Sequence, residues 1–254
     1  MPNLYGSNVE KDIKDYQKLF TDPDFMPDEL KIYPCSLIED TPLMDKYKAG
    51  KWHPYSYEEL RMVLVETLAM TPEYCRLTRV IRDIPSDEIV AGNKLTNFRQ
   101  IAEQYAQEHN ITLKDIRSRE VKDQSIAAQD LTLDIIDYQT SVAEEKFIQY
   151  ITKDRKIAAF LRLSLPTTQA YIDELSQAAI IREIHVYGQA INVGSNKAGA
   201  PQHLGLGKKL ITQAQKLSKD AGYKKLAVIS AIGTKEYYRQ RGFTDGHLYQ
   251  HLEL

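Results

Sequence analysis

Residues 202–209 read QHLGLGKK, and this stretch decides the fold of the second half of the chain. It fits the pattern Q/R-x-x-G-x-G/A and opens a predicted amphipathic helix over residues 206–221. A helix N-terminus offers several backbone N–H donors and a favourable dipole to an anion. Gly205 and Gly207 leave room for a pyrophosphate, because neither carries a Cβ atom. The stretch therefore predicts an anion-binding loop, although a glycine-containing turn that only begins a helix fits the same six residues.

The segments on either side of this loop predict further parts of a binding site. A strand with alternating apolar residues precedes the loop over residues 180–192, and a buried strand follows its helix over residues 225–229. A short helix over residues 234–241 then carries Tyr237 and Tyr238. This order favours a built site over an isolated turn.

The two tyrosines are candidates for a catalytic role. Adjacent helical positions point about 100° apart, so only one of them faces a ligand. We choose Tyr238 ahead of Tyr237, because a phenol keeps its proton at neutral pH and can donate it, or a hydrogen bond, to a leaving group. A tyrosine pair on a helix otherwise packs in the core and at its rim. Glu183 is a candidate general base, although a glutamate on a strand is more often solvated.

The first half of the chain predicts alternating strands and helices. Ser56 and Glu59 have the spacing of a capping box in front of an apolar stripe, which predicts a helix over residues 56–70. The predicted order is helix 8–20, strand 30–38, helix 56–70, strand 75–84 and helix 95–109. This order is typical of a parallel α/β architecture.

The second half predicts mainly short strands. They are expected over residues 131–140, 157–165, 180–192, 225–229 and 249–254, with a helix or turn over residues 143–150. We place a boundary near residue 122. The predicted organisation is an α/β domain over residues 1–122 and an α+β domain over residues 123–254.

Composition and charge exclude several classes of protein. The formal net charge of −2 gives no overall attraction to nucleic acid, so such binding requires a local basic patch. The N-terminus lacks the pattern of a secretory signal and no stretch approaches 18 apolar residues. These features predict a cytoplasmic protein with no membrane partner. Cys35 and Cys75 are too few for a disulfide framework.

The motifs of the chain resemble a known family. REIHVYG, QHLGLG and AVISAIGTKEYYRQRGF follow one another as in GNAT acetyltransferases. Together with DELKIYPC, RVIRDIPS, AGNKLTNFR and IRSREV, they are similar to the catalytic subunits of Elongator, the tRNA wobble-uridine acetyltransferases, over almost all of the chain. The resemblance implies the end of a radical-SAM α/β barrel followed by a GNAT acyltransferase domain. It also implies acetyl-CoA as substrate and a 5-carboxymethyl-type group on uridine of tRNA as product.

The resemblance and the loop pattern together imply a set of binding residues. The expected acetyl-CoA contacts are Glu183, Ile184, His185, Val186, Gln202, Gly205, Leu206, Gly207, Lys208, Lys209 and Tyr238. Basic residues in short segments of the first half form the candidate tRNA-binding surface. They are Arg76, Arg79, Arg82, Lys94, Arg99, Lys114, Arg117 and Arg119.

Two departures from the family concern metals. The clustered cysteines that hold a 4Fe–4S cluster for S-adenosylmethionine cleavage are absent, so we expect this chain alone to perform no radical chemistry, whether it is a fragment or a naturally short form. Some relatives complete a zinc site with cysteines in the segment over residues 113–118, which we interpret as a strand. This sequence has Leu113, Asp115 and Ser118 at those places. Because structural zinc usually takes four ligands, we predict no metal site and a buried free thiol at Cys35.

Three functions are compatible with these observations. The leading one is an acetyl-CoA-dependent tRNA uridine acetyltransferase, with Elongator-type subunits or a second copy of the chain as further partners. A conventional amine or lysine N-acetyltransferase requires a working base, for which Glu183 is the candidate. A non-enzymatic module that senses acetyl-CoA and binds tRNA requires neither a base nor a radical source.

Overall fold

The computed structural model describes residues 1–81, 84–122, 126–187 and 205–254, and the chain divides into two compact units, Met1–Ser118 and Arg119–Leu254. Each unit is described by itself. The mixed α/β class predicted from the sequence is confirmed. The domain boundary predicted near residue 122 stays a prediction.

The described part of the first unit contains two small sheets and five helices. A parallel sheet pairs β1 (Glu29–Ile32) with β3 (Arg76–Val80), and an antiparallel sheet pairs β2 (Leu37–Ile38) with β4 (Ile89–Ala91). The helices are α1 (Val9–Lys18), α2 (Pro42–Lys48), α3 (Tyr57–Met70), α4 (Phe98–Glu108) and α5 (Ile116–Arg119).

The capping box predicted in front of α3 is confirmed. The Ser56 hydroxyl accepts a hydrogen bond from the Glu59 amide at 3.2 Å, and the Ser56 amide donates to the Glu59 carboxylate at 2.8 Å. Together these bonds satisfy two backbone donors that the helix itself leaves unpaired. The apolar stripe of α3 then packs into one core with α1, β1, β3 and α4. Its buried members are Tyr16, Ile32, Leu60, Leu64, Val65, Leu68, Leu77, Val80, Ile81, Phe98 and Ala102.

Two predicted strands of the first unit are wrong in part. The strand expected over residues 30–38 is divided into β1 and β2, because Pro34 lacks an amide proton and interrupts pairing. The segment 113–118, interpreted as a strand, leads into the helix α5. The Ser118 amide donates to the Asp115 carbonyl at 3.1 Å, and the Ser118 hydroxyl donates to the Asp115 carboxylate, which favours a turn of helix.

The second unit is built on a seven-stranded sheet with the order β10-β11-β9-β8-β7-β6-β5. The strands are β5 (Thr132–Gln139), β6 (Ala143–Ile151), β7 (Ile157–Pro166), β8 (Ala178–Val186), β9 (Lys225–Val228), β10 (Thr244–Asp245) and β11 (Gln250–Glu253). Neighbouring strands are antiparallel except β8 and β9, which are parallel. The helix α6 (Leu206–Asp220) connects these two parallel strands, and α7 (Lys235–Arg239) follows β9.

The helix or turn predicted over residues 143–150 is wrong, since these residues form β6. This strand pairs along its length with β5 on one side and β7 on the other. Its inward positions include the polar residues Glu145 and Gln149, which are 5% and 0% exposed. Polar residues at inward positions hide the alternation of apolar and polar residues on which a strand prediction depends.

Candidate functional site

The strand β8 has two halves with different surroundings. Residues 178–181 pair with β7 on one side and with β9 on the other, up to the pair Ile181 and Val228. Residues 183–186 pair with β7, and among the described residues they have no partner in β9. Among the described residues, the pairing of the two parallel strands therefore ends at Ile181.

A β-bulge marks the point of separation. Arg162 on β7 pairs with Glu183 and Leu163 pairs with Ile181, so Arg182 is an extra residue in β8. A bulge of this kind bends its strand and increases the local twist. The Arg182 guanidinium donates to the Glu145 carboxylate at 2.8 Å, and the Ser164 hydroxyl donates to the same carboxylate at 2.7 Å. These bonds fix the bulge to the neighbouring strands.

The helix α6 begins beside the second half of β8, residues 183–186. Gly205 is its N-cap with φ +63°, a left-handed conformation that favours glycine. Leu206 and Leu210 are buried and anchor the first turns, while Lys208 and Lys209 are exposed. A Cβ atom built on Gly207 lies 3.8 Å from Val186 Cγ2, which places the first turn of α6 next to the end of β8. The first turn of α6 and the end of β8 thus lie side by side.

The two tyrosines of α7 have different neighbours. The Tyr237 hydroxyl lies against Gly207, and the Arg241 guanidinium lies 3.4 Å from the centre of the Tyr237 ring. Tyr238 is 5% exposed and packs edge-on against Phe243, with ring centres 5.5 Å apart. Burial raises the pKa of Tyr237, and burial together with Tyr237 raises the pKa of Tyr238 to about 12. Both phenols are therefore protonated at neutral pH.

Glu183 has a structural partner. Its carboxylate accepts a hydrogen bond of 2.8 Å from Arg162, whose side chain is 2% exposed and lies over the rings of Phe147 and Phe160. A buried guanidinium requires a counter-charge, and Glu183 supplies it. A lone arginine within the apolar run of residues 157–166 was the available sequence indication of this pair, and the sequence analysis missed it.

The predicted acetyl-CoA contacts fall into three groups. Glu183, Ile184, His185 and Val186 form the second half of β8, and the His185 ring stacks on Phe160 at 5.8 Å. Gly205 to Lys209 form the start of α6, and Gly207 meets the side chain of Tyr237 from α7. Gln202 lies outside the described residues. The structure thus brings the described members of the set to one end of the second unit, while their role in binding stays a prediction.

The predicted basic surface contains two internal arginines. Arg99 is 9% exposed, and its guanidinium donates to the Leu77 carbonyl at 2.9 Å, the Glu103 carboxylate at 2.6 Å and the Asp115 carboxylate at 3.3 Å. Arg119 is 5% exposed and donates to the Gln149 amide oxygen at 3.1 Å. These two side chains are occupied within the protein, so we remove them from the surface proposed for tRNA.

The other basic positions remain accessible or lie outside the description. Arg79, Lys94, Lys114 and Arg117 are exposed, and Arg76 is half-buried. Arg117 donates to the Thr78 carbonyl of β3, which brings a cation of α5 next to the strand that carries Arg76 and Arg79. Arg82 lies outside the described residues.

The cysteines and acidic residues form no metal centre in the described ranges. Cys35 is partly buried, which raises the pKa of its thiol, and Cys75 is fully buried. No group of three or more His, Cys, Asp or Glu side chains in the described part of the chain could hold a metal ion. Likewise, no helix in the described segments is long and apolar enough to cross a membrane.

Comparisons with known proteins identify related sequences for nearly the whole chain. Residues 27–108 match the family described as the Radical_SAM C-terminal domain. The chain is 35% identical to the tRNA uridine(34) acetyltransferase of Methanocaldococcus jannaschii, across 96% of this chain and 47% of the relative. It is 34% identical to human Elongator complex protein 3, across 96% of this chain and 46% of the relative. The chain therefore spans about half the length of the curated relatives it matches.

A solved structure agrees with these relatives in fold. The archaeal Elp3 of Methanocaldococcus infernus, with residues 1–46 deleted, superposes with a TM-score of 0.89 at 34% identity. The match covers 100% of this chain and 62% of that chain. The two units described above thus correspond to the C-terminal part of that protein.

Proposed function

Because this chain is homologous over nearly its full length to the tRNA uridine(34) acetyltransferase and Elongator complex protein 3 family, we propose that it binds acetyl-CoA and tRNA for the acetylation of a tRNA uridine. In this proposal the second unit carries the acetyl-CoA site in a GNAT-type fold. The observation that carries the proposal is the separation of β8 from β9 beyond Ile181, beside the start of α6.

The local geometry fits an acyl-CoA in three respects. Residues 183–186 of β8, beyond the pairing with β9, would offer peptide groups to the amides of a pantetheine arm. The start of α6 offers N–H donors and a positive dipole end to a pyrophosphate. Within the described ranges, and apart from its neighbours in the chain, Gly205 has no atom within 4 Å of a built Cβ. Acetyl-CoA would supply an acetyl group activated as a thioester.

Tyr238 is our candidate for proton donation in that site, as predicted from the sequence. Its pKa of about 12 keeps the phenol protonated, so the hydroxyl can donate a hydrogen bond or a proton to a thiolate leaving group. Glu183 is not assigned as a base, because its carboxylate already balances Arg162. The amine acetyltransferase alternative therefore gains no support from this residue.

The radical step of the family finds no fitting residues in this chain. A 4Fe–4S cluster is held by clustered cysteine thiolates. This sequence has Cys35 and Cys75, of which Cys75 is 0% exposed. We therefore derive no step through such a cluster or through S-adenosylmethionine. The tRNA-binding part of the proposal rests on the exposed cations of the first unit and is tested separately below.

Calorimetry with two matched glycine variants tests the acetyl-CoA site. Gly205 and Gly222 lie at opposite ends of α6, with φ of +63° and +86°. Among the residues that the structure describes, and apart from their neighbours in the chain, neither has an atom within 4 Å of a built Cβ. Replacing either with leucine should cost about 1–2 kcal/mol of stability, because L-residues are strained in this conformation. Only Gly205→Leu should weaken acetyl-CoA binding, by at least about 10-fold, since it blocks approach to the helix N-terminus.

The outcome distinguishes a binding loop from a simple turn. Equal affinity in Gly205→Leu, Gly222→Leu and the unmodified chain would contradict the proposed site. Absence of binding to the unmodified chain would remove the acetyl-CoA assignment altogether.

A further inference from the structure

Gly207 accommodates a side chain from a neighbouring helix. Its backbone does not have a positive φ, so backbone conformation does not require glycine at this position. A Cβ atom built there overlaps the hydroxyl oxygen of Tyr237 and lies 3.6 Å from Tyr237 Cζ. A distance of 3.6 Å is an ordinary van der Waals contact between carbon atoms. The overlap therefore arises from the hydroxyl group alone, and a phenylalanine ring in the same place would tolerate an alanine.

The Tyr237 ring has two further contacts. The Arg241 guanidinium lies over the ring at 3.4 Å from its centre, and it donates to the Tyr237 carbonyl. The Tyr238 ring meets the Tyr237 ring edge-on at 5.3 Å. Moving the hydroxyl away from Gly207 would disturb both contacts. The position of Tyr237 is thus set by Gly207 at its hydroxyl and by Arg241 over its ring.

We propose that Tyr237 is a positioning residue. Its hydroxyl packs against Gly207, and this contact fixes the position of α7, and with it Tyr238, relative to the first turn of α6. The consequence for acetyl-CoA rests on the proposed function, whereas the contact between the two residues does not. The absence of a side chain at Gly207 then has two consequences. The glycine leaves room for the Tyr237 hydroxyl, and the position of Tyr237 determines where Tyr238 lies with respect to residues 183–186 of β8.

A double-mutant cycle on thermal unfolding tests the contact without any ligand. The four proteins are the unmodified chain, Gly207→Ala, Tyr237→Phe and the double variant. Gly207→Ala should lower Tm by roughly 2–4 °C, although alanine is the better helix former, because the Tyr237 hydroxyl must move. In the Tyr237→Phe background the same change should leave Tm unchanged or raise it. Equal losses of Tm in both backgrounds would overturn the proposal.

Acetyl-CoA titration of the same proteins tests the positioning role. At a temperature where all four are folded, Gly207→Ala should weaken acetyl-CoA binding about 10-fold, and the double variant should recover to within about 3-fold of Tyr237→Phe. A purely structural contact would change Tm and leave the affinity alone, which would overturn the positioning role. Tyr237→Phe provides the reference for the double variant.

The two titration failures have different meanings. If the double variant binds as weakly as Gly207→Ala, the glycine serves the coenzyme directly, and the proposal for Tyr237 is overturned while the proposed function stands. If the unmodified chain does not bind acetyl-CoA, the proposed function fails, and the thermal cycle still decides whether Tyr237 seats on Gly207.

Discussion

The two units differ in how deeply their arginine side chains are buried. In the first unit, Arg79 and Arg117 are exposed, whereas Arg99 is internal and paired with Asp115. In the second unit, Arg119 and Arg162 are both internal, 5% and 2% exposed, and each is paired with a polar side chain of the sheet. A cation in a short basic segment can therefore be a surface group or a part of the interior. Burial and bonding partners distinguish the two, whereas clustering in the sequence does not.

The largest difference between internal and surface cations is expected in the free energy of unfolding. Arg99→Ala should lower the free energy of unfolding by about 3–5 kcal/mol, because the change leaves the fully buried Asp115 without its guanidinium partner. Lys94→Ala, at an exposed position, should change it by less than about 0.5 kcal/mol. Denaturant unfolding of both variants measures the difference. Similar stabilities would show that Arg99 belongs with the surface cations after all.

The exposed cations of the first unit should dominate tRNA binding. Reversing the charges of Arg79, Lys94 and Lys114 to glutamate should weaken tRNA binding by at least about 10-fold and reduce its salt dependence, because fewer counterions are released. Lys216→Glu with Lys219→Glu, on the exposed face of α6, is the control in the second unit. Filter binding at several salt concentrations measures both. A larger loss in the control would move the tRNA surface to the second unit.

A smaller effect concerns an acid of the second unit. The Glu174 carboxylate accepts a hydrogen bond from His251 at 2.9 Å and another from the Leu248 amide at 2.9 Å. These bonds, that of His251 first, lower its pKa from 4.5 to about 2. Since the folded-state pKa lies below the unfolded value, the stabilising contribution is complete above pH 4.5 and is lost as the pH falls towards 2.

Thermal unfolding between pH 2 and pH 5 checks this contribution. The Tm of Glu174→Gln should depend less on pH in that window than the Tm of the unmodified chain. Asp173→Asn, at the neighbouring exposed position, is the control. Parallel pH curves for the unmodified chain and Glu174→Gln would show that the carboxylate does not stabilise the turn before β11.

The sequence predicted correctly those helix ends that depend on contacts between residues close together in the chain. The capping box of α3 and the start of α6 at Leu206 needed a few adjacent residues, and both are found in the structure. The strand β6 was missed because Glu145 and Gln149 are internal, and their partners Arg182 and Arg119 lie 37 and 30 positions away. No local pattern reveals a partner at that distance.

In the candidate site, too, contacts between distant residues could not be predicted from the sequence. Glycines and a tyrosine pair could be recognised from spacing, and they do lie near one another. Which tyrosine meets Gly207 depends on how α7 packs after β9, and this is decided by tertiary contacts such as that of Gly207 with Tyr237. The sequence favoured Tyr238 for the chemistry, and that role stays a prediction.

The extra residue Arg182 has a consequence for insertions and deletions in β8. Ile181 and Glu183 face successive residues of β7, Leu163 and Arg162, so removing Arg182 would leave the facing of every remaining β8 side chain unchanged. What would be lost is the bend that accompanies the parting of β8 from β9. A straight and a bent β8 thus differ by a single residue at this point. The loss of that residue would also remove the ion pair of Arg182 with the buried Glu145.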